Sequence, residues 1–128
     1  MEGQRSDKVL QCRPRIEVDY KPSEVGEELV FQNRVLRHIL KFQNLILIQT
    51  FEDYCKKKKI KLAESFTPSQ MVEMVKNILS KNPDLRKMMI GVVVGMMTIE
   101  EHLVYLGAQK NMDKRIVQML IKRIATQL

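Results

Sequence analysis

The sequence predicts an all-α protein, a compact bundle of four to five helices with one long N-terminal helix and a flexible N-terminal arm. Three observations carry that prediction. Glycine and proline are scarce, 5 and 4 in 128 residues, so the chain lacks the turn punctuation of a β sandwich or barrel. Aromatic residues make up 5% and tryptophan is absent, while there are 9 methionines, so Leu, Ile, Val and Met must fill the core. Helix-start signatures recur at Thr67, Asn82 and Thr98 and divide the second half of the chain into short helices. A chain of 128 residues is one domain's worth and can build its own core.

Residues 1–21 read as an arm that mixes charges of both signs and contains Pro14. Ile16, Val18 and Tyr20 alternate with Arg15, Glu17 and Asp19, a weak two-residue period, and an extended tail is preferred over a short strand. Residues 22–128 form the helical domain. It opens at Ser23, a good N-cap, with Glu24, Glu27 and Glu28 placing negative charge on the first turn. Val25, Leu29, Leu36, Ile39, Leu40, Ile46, Leu47 and Tyr54 then recur at three- and four-residue spacing, which predicts one long helix over 24–57. Leu45-Ile46-Leu47-Ile48 is apolar on every side and is expected to sit deepest.

The run Lys56-Lys57-Lys58-Lys59, with Lys61 beyond Ile60, ends the pattern, and residues 60–66 read as a loop. At Thr67-Pro68-Ser69-Gln70 the threonine caps, the proline suits the first helical position and the glutamine completes a capping box. That helix runs to about Lys81, with Met71, Val72, Val75, Ile78 and Leu79 inward. Asn82-Pro83-Asp84 repeats the device. The helix after it carries Leu85, Met88, Met89, Val92, Val93 and Met96 and is apolar all round, so it should be the central, most buried one. Val92-Val93-Val94 admits a buried strand, but the proline start and the length favour helix. Thr98-Ile99-Glu100-Glu101 is a further capping box, its helix running to about Leu106 with Gly107 as the stop. The last helix is expected to open at Asn111 or Met112 and run close to Leu128.

Several function classes find no support. Cys12 and Cys55 cannot make a disulfide scaffold, and neither they nor His38 and His102 stand at metal-ligand spacing. Ser or Cys nucleophiles are not grouped with a His base, and no glycine-rich phosphate loop occurs. Glu100-Glu101-His102 is better explained by first-turn charges beside a half-buried histidine. No enzyme, metal or cofactor is therefore expected. The N-terminus shows no apolar signal segment, and the longest run of apolar residues and glycine, Met88–Met97, falls short of the about 20 a membrane span needs. A cytoplasmic protein is expected, or a nuclear one if it is eukaryotic.

The net charge of +7 raises the question of anionic partners. Segment by segment, the excess concentrates in residues 55–66, with five basic residues against one acidic. Lys56, Lys57, Lys58, Lys59 and Lys61 are thus candidate contacts to a phosphate backbone, or simply a solvated helix end. On a helical wheel of the last helix, Ile116, Val117, Leu120, Ile121, Ile124 and Leu128 form the core stripe. Arg115 and Lys122 point outward, and Lys114 and Arg123 flank the stripe. Thr98–Ile124 has some look of a helix-turn-helix. Against it, Asp113 falls where an apolar residue should pack, and the connection from Gly107 to Asn111 is long for the motif. Cys55, beside the lysines, would have a lowered thiol pKa and some reactivity, although the preferred reading is that the lysines just flank an ordinary thiol.

Gly91 and Gly95 lie one turn apart on the apolar helix and would let a neighbouring backbone approach. Met119 projects between Arg115 and Lys122, and methionine suits adaptable binding surfaces. Gly91, Gly95 and Met119 are the candidate partner interface. The function expected is a non-enzymatic helical protein-interaction module, an adaptor, regulator or assembly factor that self-associates as a homodimer. The alternative is a nucleic-acid-binding regulator using the 56–61 lysines and the basic last helix.

Overall fold

The computed structural model describes residues 2–13, 30–62 and 65–128. Among them every regular element is a helix, and there are seven α-helices rather than four or five. They are α1 (Glu2–Cys12), α2 (Arg37–Phe42), α3 (Asn44–Lys57), α4 (Pro68–Lys81), α5 (Pro83–Val94), α6 (Ile99–Gly107) and α7 (Gln109–Ala125), with a π-helical stretch, Gln32–Leu36, leading into α2.

Two additions account for the higher count. The first twelve residues, expected within an arm, hold the helix α1. The remainder of that arm, including the alternation at Ile16, Val18 and Tyr20, lies outside the described residues, as do Ser23 and the first turn predicted after it. The second addition is a division of the long helix. Over Gln32–Leu36 the backbone widens to a π turn, the Arg37 N–H bonding to the Gln32 carbonyl. At Gln43 the backbone turns to φ −89°, ψ 7°. The ladder still runs through the bend, from the Gln43 N–H to the Ile39 carbonyl at 2.8 Å and from Leu47 to Gln43 at 3.0 Å. The Gln43 side chain donates to the Val92 carbonyl at 3.3 Å, which ties the bend to α5.

A π turn accommodates one extra residue and slips the helical register by about 100°. The apolar run in α3 is spread around that helix in any case, since consecutive residues lie about 100° apart and only the Leu47 face meets the core. Leu47 is buried, but Leu45 is 73% exposed and Ile46 50%, so the stretch expected deepest is split between core and surface.

The core is built from faces at four-residue spacing. Leu47, Phe51 and Cys55 line α3. Val75, Ile78 and Leu79 line α4. Met112, Ile116, Leu120 and Ile124 line α7. Helix α5 packs against α3, α4 and α7, and α7 also packs against α4 and α6. Helix α5 therefore is central, yet its outer face is open, with Met88 exposed beside Gly91. Each side chain as fully buried as Phe51 or Ile116 adds about 1.5–3 kcal/mol of transfer free energy.

Local capping follows the sequence closely at two starts. Thr67 and Gln70 make both bonds of a capping box, at 3.2 and 2.9 Å. Thr98 and Glu101 do the same at 3.1 and 2.8 Å. Asn82 does not cap with its side chain. Its amide turns back to the Ile78 carbonyl at 2.6 Å, and its oxygen accepts from the Tyr54 hydroxyl. The last helix starts earlier than expected, at Gln109, because Ala108 alone (φ −140°, ψ 37°) makes the turn from α6.

Candidate functional site

Three places hold the residues singled out from sequence. The first is the lysine run, which forms the C-terminal cap of α3. Lys59 takes a left-handed conformation at φ 55°. The Ile60 N–H reaches the Cys55 carbonyl at 2.8 Å and the Lys59 N–H reaches Lys56 at 3.2 Å, the paired bonds of a Schellman motif. Lys57 pairs with Asp53 at 2.9 Å on a fully solvated face, and the Lys58 ammonium stands 5.9 Å from the Tyr54 ring centre. All five candidate lysines are exposed, and two of them, Lys57 and Lys58, are also engaged by their own helix. Cys55 beneath them is buried. Burial first, and the charge of Glu52 second, push its thiol up rather than down, so the expectation of a lowered pKa is reversed: the lysines point to solvent and do not offset desolvation.

The second is the outer face of α5. Gly91 and Gly95 are both exposed. A Cβ added at Gly91 would meet nothing within 4 Å, so no helix crosses closely there among the described residues. The Gly95 carbonyl is instead taken by the Arg5 guanidinium of α1 at 2.9 Å, and Met97 receives the same group at 2.7 Å. This arginine satisfies carbonyls that the end of α5 leaves open. Helix α1 is held further by Arg13, whose two nitrogens grip both Glu101 oxygens at 2.8 and 2.9 Å.

The third place is a cleft between α7 and the segment from Gln32 to Leu40, with a volume of about 680 Å³. Arg115, Met119, Lys122 and Arg123 line it from α7, and Gln32 and Arg37 from the opposite wall. The structure thus unites three of the four basic candidates of the last helix. Lys114 is exposed and not part of the lining. Met119 is half-buried in the cleft, in which neither glycine takes part. The lysine run sits at the far end of α3, about 20 Å along its axis from Asn44.

Of the lining residues, Arg123 donates to the Asn44 Oδ1 at 3.2 Å, and the Gln127 amide completes the group at 2.8 Å from the same oxygen. Arg37 donates to the Asn33 Oδ1 at 3.2 Å, and Arg115 donates to the Gln32 side-chain oxygen. Burial, then the neighbouring charge of Arg37, hold Arg123 below its usual range, though a guanidinium stays protonated. None of the described residues lining the cleft is acidic.

Sequence reasoning missed Arg37, Arg5 and Arg13. Arg37 lies within the long helix predicted over 24–57, and the other two in a segment read as an arm. The helix-turn-helix resemblance also fails on geometry. One residue, Ala108, connects α6 to α7, where the motif uses three or four, and Asp113 accepts the Tyr105 hydroxyl instead of packing as an apolar residue. Among the described residues no three His, Cys, Asp or Glu side chains gather at metal-binding distance, and no helix is long and apolar enough to cross a membrane. Compared with protein-family models, with curated proteins and with solved structures, the chain matches none.

Proposed function

We propose that the protein is a non-enzymatic protein-interaction module, an adaptor, regulator or assembly factor, and that it self-associates. The observation that carries this reading is the exposed ridge Phe42, Leu45 and Ile46, which are 46%, 73% and 50% exposed. They stand at i, i+3 and i+4 along the α2–α3 hinge, the spacing at which a helix presents anchors to a partner. Large apolar residues grouped in this way stabilise an interface when buried, and leaving them in water forfeits that gain. Helix α6 adds a second group, with Leu103, Val104 and Leu106 half or more exposed and only Tyr105 buried.

A second copy of the chain is the occupant proposed for the Phe42–Ile46 ridge. Light scattering coupled to size exclusion tests it. A dimer mass is expected at high concentration, with the double variant Leu45→Glu/Ile46→Glu monomeric and equally helical by circular dichroism. A clean monomer for the native chain at high concentration overturns the self-association.

A further inference from the structure

We infer that in the self-associated protein α1 of each copy seats on the α5–α6 junction of the other, an exchange of N-terminal helices. This exchange rests on the self-association proposed above and gives it a second surface. The seat is local. Among the described residues, the hydrogen bonds and the ion pair that Glu2–Arg13 makes beyond its own turns all fall within Gly95–Glu101. Arg5 bonds the Gly95 and Met97 carbonyls at 2.9 and 2.7 Å. The Ser6 hydroxyl accepts from the Ile99 N–H at 3.3 Å and donates to Glu100 at 3.4 Å, and Arg13 grips Glu101. A second copy therefore carries the whole set of polar partners that α1 uses.

Charge makes the seat selective and keeps it filled. The open carbonyls at the end of α5 carry partial negative charge, Glu100 and Glu101 add two carboxylates, and α1 answers with Arg5 and Arg13. An empty seat leaves the Glu101 side chain, only 17% exposed, without its cation, which is costly. The segment that matches the seat is α1, from its own copy or from a second. The apolar hold on α1 is slight, with Val9 buried and Leu10 half exposed, so α1 detaches at the loss of few apolar contacts. Residues 14–29 join α1 to the next described element. Their contour is about 53–58 Å at full extension, longer than the roughly 35 Å across a body of this size, so chain length does not confine α1 to its own seat. The ridge also needs help. Stable interfaces engage about 20–30 residues a side, and Phe42, Leu45 and Ile46 supply only a beginning. Exchange adds the 11 residues of α1 and their seat to each side. It reuses bonds that one chain already makes, in a closed two-fold assembly.

Two measurements on the full chain test the exchange. In the first, Arg13→Glu chains are mixed with Glu101→Arg chains. Alone, each variant sets like charges together and its α1 amides lose protection from hydrogen exchange. Mixed, each α1 meets the opposite charge only on the other copy, so α1 protection should recover at least about tenfold, together with a dimer mass. The double variant Arg13→Glu/Glu101→Arg, which can pair within or between chains, sets full recovery. In the second, isotope-labelled and unlabelled native chains are refolded together in equal amounts. Val9 and Met96 border one hollow beside α1, and isotope-filtered NMR should show their contacts between labels. If Glu101→Arg does not fold, or the double variant is not protected, this second measurement decides alone. Contacts confined to one label, or no recovery on mixing while the double variant is protected, overturn the exchange; a native dimer that persists then leaves the ridge reading standing. A native chain that stays monomeric at high concentration overturns both.

Discussion

Replacing Arg13 by Gln should release α1 from the bundle while leaving the rest of the fold intact. Arg13 and Glu101 form a two-pronged ion pair at 2.8 and 2.9 Å, with side-chain exposures of only 5% and 17%. Breaking a pair this buried by removing one partner costs about 3–5 kcal/mol, because the other charge is left without compensation. The other ties are weaker one by one: the Ser6 hydroxyl accepts from the Ile99 N–H at 3.3 Å and donates to Glu100 at 3.4 Å. Helix α1 contributes only Ser6 and Val9 to the buried set. Val9 adds about 1.5–3 kcal/mol at most, and the Arg5 bonds to the Met97 and Gly95 carbonyls add a similar amount. An 11-residue helix is marginal in water once detached, so release means unfolding of residues 2–12. Hydrogen exchange under native conditions reads this directly. A loss of about 3 kcal/mol raises the exchange of α1 amides roughly 100-fold, with α5 and α7 amides unchanged. Glu101→Gln separates the two jobs of that carboxylate, since glutamine still serves the capping box with Thr98 but not the ion pair. It should behave like Arg13→Gln, whereas Glu101→Ala adds about 1 kcal/mol of capping loss felt by α6. If α1 amides exchange at native rates in Arg13→Gln, or if every helix loses protection equally, the reasoning is refuted.

Lys59→Gly should stabilise the protein by about 1 kcal/mol, because Lys59 holds φ 55° at a position where glycine carries no steric penalty; thermal melts should shift upward by about 3–5 °C. Gly91→Ala should likewise gain about 0.5–1 kcal/mol, since the added Cβ meets nothing within 4 Å, and a loss of dimer mass in that variant would place the glycine face in the interface. Tyr105, pushed up to about 12 by burial and then by its bond to Asp113, should ionise well above the ordinary phenol range, a late step in an ultraviolet absorbance titration that Tyr105→Phe removes. Its neutral form is favoured by the fold, so that contribution is complete below pH 10 and is lost as pH rises from about 10 to 12. His38 is held below its usual value by burial first and by Arg13 second, with Arg37 acting in the same sense and Glu101 against it. The unfolded chain therefore takes up the proton first, and denaturant midpoints should fall as pH drops below about 6.5, less steeply in His38→Gln.

What the sequence made legible was local. The boxes at Thr67 and Thr98 need only a residue and its neighbour three places on, and both formed. The core stripe of α7, Ile116, Leu120 and Ile124, follows from helical spacing alone. What stayed hidden depends on partners distant in sequence. Asn82 reads as a cap until the Tyr54 hydroxyl, 28 residues away, claims its oxygen. The long helix shows no breaker at Gln43, whose side chain bonds a carbonyl 49 residues on. Helix α1 has too thin an apolar face to announce itself, and its anchors are an arginine on helix-end carbonyls and an ion pair across 88 residues.

The cleft shows the same limit in its charge. Counted by segment, the stretch holding Arg37 is net acidic, with three basic and five acidic residues over 22–54, and the densest basic segment is the lysine run. Folding reverses that ranking. The run disperses its charges around a helix end, where two are engaged by Asp53 and Tyr54. Arg37, from an acidic stretch, is carried to the wall facing Arg115, Lys122 and Arg123. Attraction for a polyanion depends on how many cations lie within about a Debye length of one another on one concave surface, near 8 Å in physiological salt, and that number is set by which helices pack together. Gln32 begins the π turn and Arg37 follows it, and both line the cleft, while Leu45 and Ile46 stand off the Leu47–Phe51–Cys55 face of α3 and are exposed.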